Sequence, residues 1–274
     1  MTINCKGELI DLSIPRIMGI LNITPNSFYD GGKYKTDLDF LNQTERMLNE
    51  GADFIDLGAY SSKPSAEFVS EEEEIKRLVE VVALLVDKFP NIKLSIDTFR
   101  SQVAKRAIEA GGALVNDIAA GILDEQMIEV VGKLQVPYIM MHMRGNPKSM
   151  QSLTDYKDLI LDMRYYFSER LAKAREAKIN DVILDPGFGF AKTMEQNYEL
   201  MAKLEHFHCF DLPLLVGISR KSMVYKLLNC TPQEALNGTS VLNTVALQKG
   251  AHILRVHDVK EANEVRKILK QLMI

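Results

Sequence analysis

The sequence of 274 residues has no tryptophan, only three cysteines and no excess of positive charge. Its formal net charge of -4 argues against nonspecific binding to nucleic acid, for which a basic surface is expected. Cys5, Cys209 and Cys230 lie far apart without the spacing of a metal site, so they predict reduced cytoplasmic thiols. No apolar run is long enough to span a bilayer, and the N-terminal residues carry charge where a signal peptide would be apolar. We therefore expect a cytoplasmic protein without membrane or nucleic-acid partners.

Short apolar runs alternate with longer amphipathic segments along the chain. The runs predict buried strands, because their apolar residues are consecutive rather than alternating. They cover residues 16–21, 54–57, 93–96, 113–115, 137–141, 181–184, 213–218 and 252–256. The predicted helices cover residues 38–50, 70–89, 102–110, 124–134, 156–177, 194–207, a pair spanning 221–228 and 232–248, and 259–273. Ser70 and Glu73 have the spacing of a capping box at the start of the second helix.

This alternation of strands and helices predicts an α/β fold. Eight strands, each followed by a helix, are typical of a (β/α)8 TIM barrel of about 250 residues. An open, doubly wound sheet is the alternative, but the regular repeat favours closure. We expect one domain over residues 1–274, with the residues before Ile14 forming a short N-terminal cap on the barrel floor.

Polar side chains follow nearly every predicted strand, at the rim where a barrel has its active site. One Asp or Asn at such a position commonly caps the next helix, but charges around a whole rim are unfavourable without a ligand or metal. In chain order, the exits carry Asn22, Asp56, Asp97, Asn116-Asp117, His142, Asp185, Ser219-Arg220-Lys221 and Arg255-Val256-His257.

The residue types divide the rim into two parts. Asp97 and Asp185 accept hydrogen bonds, Asn116 both donates and accepts, and Lys221 donates. Together they suit a flat heterocycle with amino and ring N–H groups.

The last two strand exits suit a phosphate group. Arg255 and His257 are two residues apart on a strand and therefore point to one face. The segment 219–222 begins a predicted helix, where free N–H groups bind anions. Asn22 could offer a neutral oxygen to Mg²⁺, which also bridges phosphate oxygens.

Several segments now resemble the dihydropteroate synthase family of the folate pathway, in family order along nearly the whole chain. They are residues 18–28 (MGILNITPNSF), 95–98 (SIDT), 115–118 (VNDI), 184–190 (LDPGFGF), 216–222 (VGISRKS) and 255–257 (RVH). The resemblance implies condensation of dihydropterin-CH₂-diphosphate with 4-aminobenzoate to give 7,8-dihydropteroate and diphosphate. It also implies a dissociative route assisted by Mg²⁺, and a homodimer.

The resemblance also implies roles for single residues. Asp97, Asn116, Asp185 and Lys221 would bind the pterin, while Asn22, Arg255 and His257 would hold Mg²⁺ and the diphosphate. Asp30, Lys221, Arg255 and His257 would be the catalytic residues. Further substrate contacts are expected from Ser62, Met140, Phe190, Gly217 and Ser222, the last near the 4-aminobenzoate carboxylate. Phe28, Ser61, Lys63 and Pro64 would form the loop region around 4-aminobenzoate.

The second loop departs from the family pattern. The family has approximately Gly-Gly-Glu-Ser-Thr-Arg-Pro-Gly, where this chain has residues 58–65 as GAYSSKPS. The change of Arg to Lys63 removes a planar, bidentate donor and affects the expected contacts of this loop. A non-catalytic pterin-binding paralogue is therefore one alternative function. A methyltetrahydrofolate-dependent methyltransferase is another, although it would need no diphosphate-binding residues.

Three other residue groups have alternative interpretations. His206, His208 and Cys209 superficially resemble a metal cluster, but they end a helix on the barrel floor, so a surface role is expected. His142 could line the site or cap a helix. Lys221 could instead form a Schiff base, as lysines in some aldolase barrels do.

Overall fold

The computed structural model describes residues 1–23, 37–60 and 69–272. Its centre is a parallel barrel whose strands follow the predicted apolar runs. They are β3 (Arg16–Asn22), β4 (Phe54–Gly58), β5 (Leu94–Asp97), β6 (Leu114–Asp117), β7 (Tyr138–Met141), β8 (Val182–Asp185), β9 (Leu215–Val216) and β10 (Ile253–Val256). Neighbouring strands pair in the order β8-β7-β6-β5-β4-β3-β10-β9.

The sheet closes between β8 and β9. Leu184 forms a parallel bridge with Leu214, and its backbone N–H donates to the Pro213 carbonyl at 2.9 Å. The barrel is therefore closed, as predicted, and the open-sheet alternative is wrong.

Helices surround the barrel and cover its outer face. They are α1 (Asp37–Glu50), α2 (Glu71–Lys88), α3 (Ser101–Glu109), α4 (Met127–Leu134), α5 (Leu159–Glu176), α6 (Met194–Ala202), α7 (Ser222–Tyr225), α8 (Leu236–Gln248) and α9 (Val259–Leu272). Two short 3-10 helices lie at Met150–Ser152, between β7 and α5, and at Leu204–Phe210, after α6. The outward side chains of the strands pack with the helices in one large apolar cluster that includes Leu57, Val115, Leu184, Val131 and Phe167. This burial on both faces explains why the strand sequences are continuously apolar.

A small antiparallel hairpin closes the barrel floor. Its strands are β1 (Thr2–Cys5) and β2 (Glu8–Asp11). Ile3, Cys5 and Ile10 are buried against the first inward layer of the barrel, which includes Phe54 and Ile253. The predicted N-terminal cap is therefore confirmed.

One local prediction, the capping box of Ser70 and Glu73, differs from the structure. The Ser70 hydroxyl caps α2 by accepting from the Glu73 N–H at 3.2 Å, but the Glu73 carboxylate accepts from Arg77 instead of completing a capping box. A full capping box lies at Thr193 and Gln196, at the start of α6.

None of the helices in the described ranges combines the length and the apolar character required to cross a bilayer.

Candidate active site

Alternate residues of each strand point into the barrel, so the polar residues at the strand ends share one interior. The register shows this directly: Asp97 pairs with Asn116, and Met141 with Asp185. Asn22 pairs with Gly58, where a Cβ atom would lie 3.5 Å from the Asp97 carboxylate. Asn22, Asp97, Asn116 and Asp185 therefore lie above the floor layer and around one mouth.

Arg255 is the centre of the charged network in this mouth. Its Nε donates to Asp56 Oδ2 at 2.6 Å, and its Nη2 donates to Asp97 Oδ2 at 2.7 Å. Asn116 Nδ2 also donates to Asp56, at 3.2 Å to Oδ2. The Asp56 side chain is fully buried, whereas Asp97 remains 22% exposed. Asp56 thus holds Arg255 and Asn116 in place, while Asp97 retains a face toward a ligand.

The electrostatics of this network follow from two carboxylates sharing one guanidinium. Burial raises the pKa of Asp97 to about 7, since Arg255 only partly offsets it and Asp56 adds repulsion. Burial would lower the pKa of Arg255, but its attraction to Asp56 and Asp97 outweighs that effect and raises it. Arg255 is therefore a permanent cation next to a carboxylate that can titrate near neutral pH.

Asp185 and Lys221 lie near each other in the mouth, where each charge affects the pKa of the other. Burial raises the pKa of Asp185, opposed by Lys221 and by a 2.7 Å hydrogen bond from the Gly187 N–H. Burial lowers the pKa of Lys221 to about 8, with Asp185 acting in the opposite direction. Lys221 Nζ donates to the Phe188 carbonyl at 2.5 Å and lies 5.0 Å from the centre of the Phe190 ring.

The ends of β9 and β10 are joined by hydrogen bonds. His257 Nδ1 lies 3.0 Å from Ser219 Oγ, and this hydroxyl also accepts from the His257 N–H at 3.2 Å. Arg220 makes a bidentate ion pair with Asp258, at 2.8 and 2.7 Å. A Cβ at Gly217 would lie in ordinary contact with the Arg255 stem, 3.6 Å from its Cβ, so Gly217 packs directly against Arg255. These contacts fix the two strand ends that carry Lys221 and Arg255.

The helix predicted after β9 is shorter than expected. It was expected to cover residues 221–228, but α7 spans only Ser222–Tyr225, with turns after it. Ser222 is exposed at its first position. Because the macrodipole of one turn is small, the expected anion binding by the N–H groups of this helix loses much of its support.

Comparison with known proteins identifies the family. Residues 18–257 match the sequence profile described as pterin binding enzyme. The chain is 41% identical over 272 residues to dihydropteroate synthase of Escherichia coli strain K12. The aligned region covers 98% of this chain and 96% of that protein. The chain belongs to the pterin-binding enzyme family.

Solved structures agree with this assignment. A Yersinia pestis dihydropteroate synthase structure with a sulfonamide drug superposes with a TM-score of 0.95 at 42% identity, covering 100% of this chain and 99% of that one. A Xanthomonas albilineans dihydropteroate synthase with 4-aminobenzoic acid gives a TM-score of 0.91 at 33% identity, covering 99% and 98%. The pterin-binding family therefore shares the closed barrel described above.

The placement predicted for Met140 from the family resemblance is wrong. Met140 pairs with Asp117 and Leu184, is fully buried and belongs to the cluster between strands and helices. Its neighbour Met141 pairs with Asp185 and packs with Phe190 near the mouth. The alternation of side chains along a strand explains the difference, because an error of one residue changes the face.

The other predicted residues of this pterin-binding enzyme fall into two groups. Those around the described mouth are Asn22, Asp97, Asn116, Asp185, Phe190, Gly217, Lys221, Ser222, Arg255 and His257; their individual roles remain predictions. Phe28 and Asp30 of the first loop, and Ser61, Ser62, Lys63 and Pro64 of the second, lie outside the described residues, so their roles also remain predictions.

Magnesium would fit this mouth as an ion bound together with phosphate. The described residues contain no group of three His, Cys, Asp or Glu side chains that could bind a metal alone. Asn22 is half-buried at the end of β3, where its side-chain oxygen could serve as a single neutral ligand. Mg²⁺ commonly uses one or two protein oxygens with substrate phosphates and water. Asn22 therefore suits the ion only if a diphosphate supplies further oxygens.

His208 and the cysteines belong to no metal-binding group among the described residues. His208 Nε2 lies 2.9 Å from the Lys249 carbonyl and next to the His252 ring on the floor side, in agreement with the predicted surface role. All three cysteines are free, and burial raises the pKa of the Cys5 thiol to about 12.

One residue near the site was missed by the sequence analysis. Lys192 follows the LDPGFGF segment and is only 4% exposed, with its ammonium 3.0 Å from His142 Nδ1. His142 is therefore a buried partner of Lys192 rather than a helix cap. The sequence signal that could have indicated it is a lysine two residues after the glycine-rich segment 184–190 at a strand exit.

Proposed function

We propose that this chain is a dihydropteroate synthase. It condenses 6-hydroxymethyl-7,8-dihydropterin diphosphate with 4-aminobenzoate and releases 7,8-dihydropteroate and diphosphate. The observation that carries the proposal is Arg255 bound to both Asp56 and Asp97, on the same inner face as Asn116 and Asp185. The 41% identity to a dihydropteroate synthase over nearly the full chain supports the same substrates.

The pterin ring would bind on the side of Asp97, Asn116 and Asp185. Carboxylates accept from amino and ring N–H groups, and Asn116 can serve either a donor or an acceptor. Lys221 would donate to an acceptor atom on the ring. Since these side chains come from three strands and one strand–loop junction, the ring would be held from several directions.

The reaction would begin with loss of the diphosphate, which takes the electron pair of the C–O bond. The carbocation left behind is stabilised by the electron-rich pterin and its carboxylate partners. The nitrogen lone pair of 4-aminobenzoate then forms the C–N bond, and the nitrogen loses one proton. Arg255 and His257 would bind the leaving diphosphate, and cations placed in advance at such a position lower the barrier most.

We also propose roles for Mg²⁺ and for the residues of the first and second loops. Mg²⁺, bound by Asn22 and phosphate oxygens, would neutralise charge on the leaving group. We expect Ser61, Ser62, Lys63 and Pro64 with Phe28 to surround 4-aminobenzoate, and Asp30 to face the reactive centre. We also propose that residues 1–274 form one domain and that the protein is cytoplasmic. We propose that it is a homodimer, and size-exclusion chromatography with light scattering would test this by measuring its molar mass.

A diphosphate-release assay tests the function. The purified protein is mixed with Mg²⁺, the pterin diphosphate and 4-aminobenzoate, and both diphosphate and dihydropteroate are measured. We expect equal amounts of the two products, with slow diphosphate release when the amine is omitted. Binding of the pterin without product would instead support the non-catalytic paralogue. Methyl transfer from methyltetrahydrofolate would support the methyltransferase alternative.

A further inference from the structure

Lys192 is a buried cation for which the proposed mechanism has no use. It lies in the segment after β8, residues 186–192, which we call the β8 loop. Its Nζ is 3.0 Å from the Gly187 carbonyl, 3.0 Å from the Phe190 carbonyl and 3.0 Å from His142 Nδ1. An ammonium has three N–H donors, and here three acceptors surround it.

The neighbouring histidine is suited to accept from this ammonium. His142 is 1% exposed, and burial together with the charge of Lys192 lowers its pKa well below the usual value. A neutral imidazole with its proton on Nε2 leaves Nδ1 as the acceptor. The His142 N–H also donates to the Asp185 carbonyl at 2.9 Å, so β7, β8 and the β8 loop meet at this point.

The β8 loop carries several contacts with the pterin side of the mouth. Its Gly187 N–H donates to Asp185, its Phe188 carbonyl accepts from Lys221, and Phe190 lies beside Lys221. The loop has no regular ladder that would fix these groups, and Gly187 has a φ of +70°. The Gly187 carbonyl also accepts from the Phe190 N–H at 3.2 Å, and the Gly189 N–H donates to Asn197 Oδ1 at 2.6 Å. To these contacts Lys192 adds the bonds to the Phe190 carbonyl and to His142.

We infer that Lys192 is a positioning residue for the pterin half of the active site. This inference depends on the proposed function. The ammonium holds the Gly187 and Phe190 carbonyls inward, so that the loop presents Phe190 and the Phe188 carbonyl to the mouth. Its positive charge also favours the ionised form of Asp185. Ser222, the described residue expected near the 4-aminobenzoate carboxylate, takes part in none of these contacts.

The charges around this pair set the direction of the pH effect. Asp185 faces Lys221, Arg255 and Lys192, all of which lower its pKa, against burial. Lys192 faces Asp185, Lys221, Arg144 and His142. Burial lowers the pKa of Lys192 to about 7, with Asp185 opposing the shift. Removal of the lysine charge should therefore raise the pKa of Asp185.

Two substitutions test the inference against a matched control. Lys192→Met removes the charge and all three donors, and Lys192→Gln removes the charge but keeps an N–H₂ group. Lys203→Met removes an exposed lysine that pairs with Glu199 at 2.8 Å on α6. We measure KM for each substrate, the pH dependence of kcat/KM for the pterin diphosphate, and the Kd of 6-hydroxymethylpterin by calorimetry.

In Lys192→Met, we expect the pterin KM and Kd to rise about tenfold or more, since bonds to a charged donor are lost. The KM for 4-aminobenzoate should stay within about twofold. The acid limb of kcat/KM should move up by about half a pH unit in both Lys192 variants, because a nearby cation is gone. Lys203→Met should resemble the wild type in every measurement.

Three results would overturn the inference: unchanged pterin affinity in both variants, equal loss of affinity for both substrates, or loss of folding in both variants. Each would make Lys192 a general structural residue or an idle one. The calorimetric Kd is measured without turnover. A wild type that binds pterin but releases no diphosphate would therefore contradict the proposed function and leave this inference to be judged on binding.

Discussion

Arg255 and Arg266 are a natural pair for comparison at the scale of single residues. Arg255 bonds to Asp56 and Asp97 at the mouth, and Arg266 Nη1 bonds to Asp53 at 2.6 Å on the floor. The two arginines are similarly covered, with 20% and 18% of their side chains exposed. Arg255 bridges two carboxylates, whereas Arg266 shares Asp53 with Arg16. Both are largely covered ion pairs, so the comparison tests how their positions in the barrel differ.

The first prediction concerns these two arginines. Arg255→Met should lower kcat/KM by about 10²–10³-fold, because the cation proposed to bind the leaving diphosphate is lost. Arg266→Met should leave kcat/KM per folded molecule close to the wild type. Both should lower the urea midpoint, since Arg255→Met removes the ion pairs of Asp56 and Asp97, and Arg266→Met removes one of the two arginines that bind Asp53. Equal activity of the two variants after correction for folded protein would contradict the assignment of Arg255.

The second prediction concerns Asp97, whose pKa is raised to about 7, chiefly by burial. If Asp97 accepts from pterin N–H groups as proposed, the carboxylate binds better than the neutral acid, so binding should lower this pKa. Affinity should therefore be full above about pH 7 and fall by up to about tenfold per pH unit below it, until the pKa of the complex is reached.

Calorimetry with 6-hydroxymethylpterin across this range, on the wild type and Asp97→Asn, provides the measurement. Titration of the ligand and of Asp185 affects the affinity of both proteins. The difference between the two curves of affinity against pH therefore reports the titration of Asp97. Parallel curves would show that Asp97 does not titrate on binding.

At the scale of secondary-structure elements, the β1–β2 hairpin has a structural role separate from the mouth. Ile3 is 1% exposed and packs into the floor layer, while Leu9 on the neighbouring strand is 69% exposed. The hairpin covers apolar residues at the lower ends of the strands, among them Met18 and Phe54. It therefore affects stability through burial rather than through chemistry.

The third prediction uses this contrast within one hairpin. Ile3→Ala should reduce the free energy of unfolding by about 2–5 kcal/mol, since a buried side chain leaves a cavity. Leu9→Ala should stay within about 0.5 kcal/mol. Urea denaturation followed by circular dichroism measures both, and KM for each substrate should be unchanged. A larger loss in the Leu9 variant would mean that this exposed strand face is covered in solution.

At the scale of the whole molecule, closure of the barrel brings the first and last barrel strands together. β3 pairs with β10, so Asn22 and His257 reach the same rim although they are far apart in sequence. A metal held partly by substrate would depend on this arrangement as a whole, because neither side provides a complete set of ligands.

The fourth prediction is the dependence on Mg²⁺. EDTA should suppress diphosphate release, and added Mg²⁺ should restore it. Asn22→Ala should raise the Mg²⁺ concentration for half-maximal activity by about tenfold, whereas Asn180→Ala, next to β8 on the floor side, should not. Full activity in EDTA would exclude the metal, and an unchanged requirement in Asn22→Ala would exclude Asn22 as its ligand.

The sequence by itself determined the strands, the helices and the family. Consecutive apolar residues predicted each barrel strand, since a strand covered on both faces has no polar side to show. The polar residues at the strand exits, from Asn22 to His257, were also visible, because they interrupt apolar runs.

Only the tertiary structure decided which neighbours these residues have. Met140 and Met141 are indistinguishable as sequence, but strand register turns one toward the helices and the other toward Asp185. Lys192 became notable only when folding surrounded its ammonium with three acceptors from two segments. Hydrogen bonds and burial between distant segments depend on distances that no local pattern encodes, so the network around Arg255 and Lys192 had to be seen in the folded barrel.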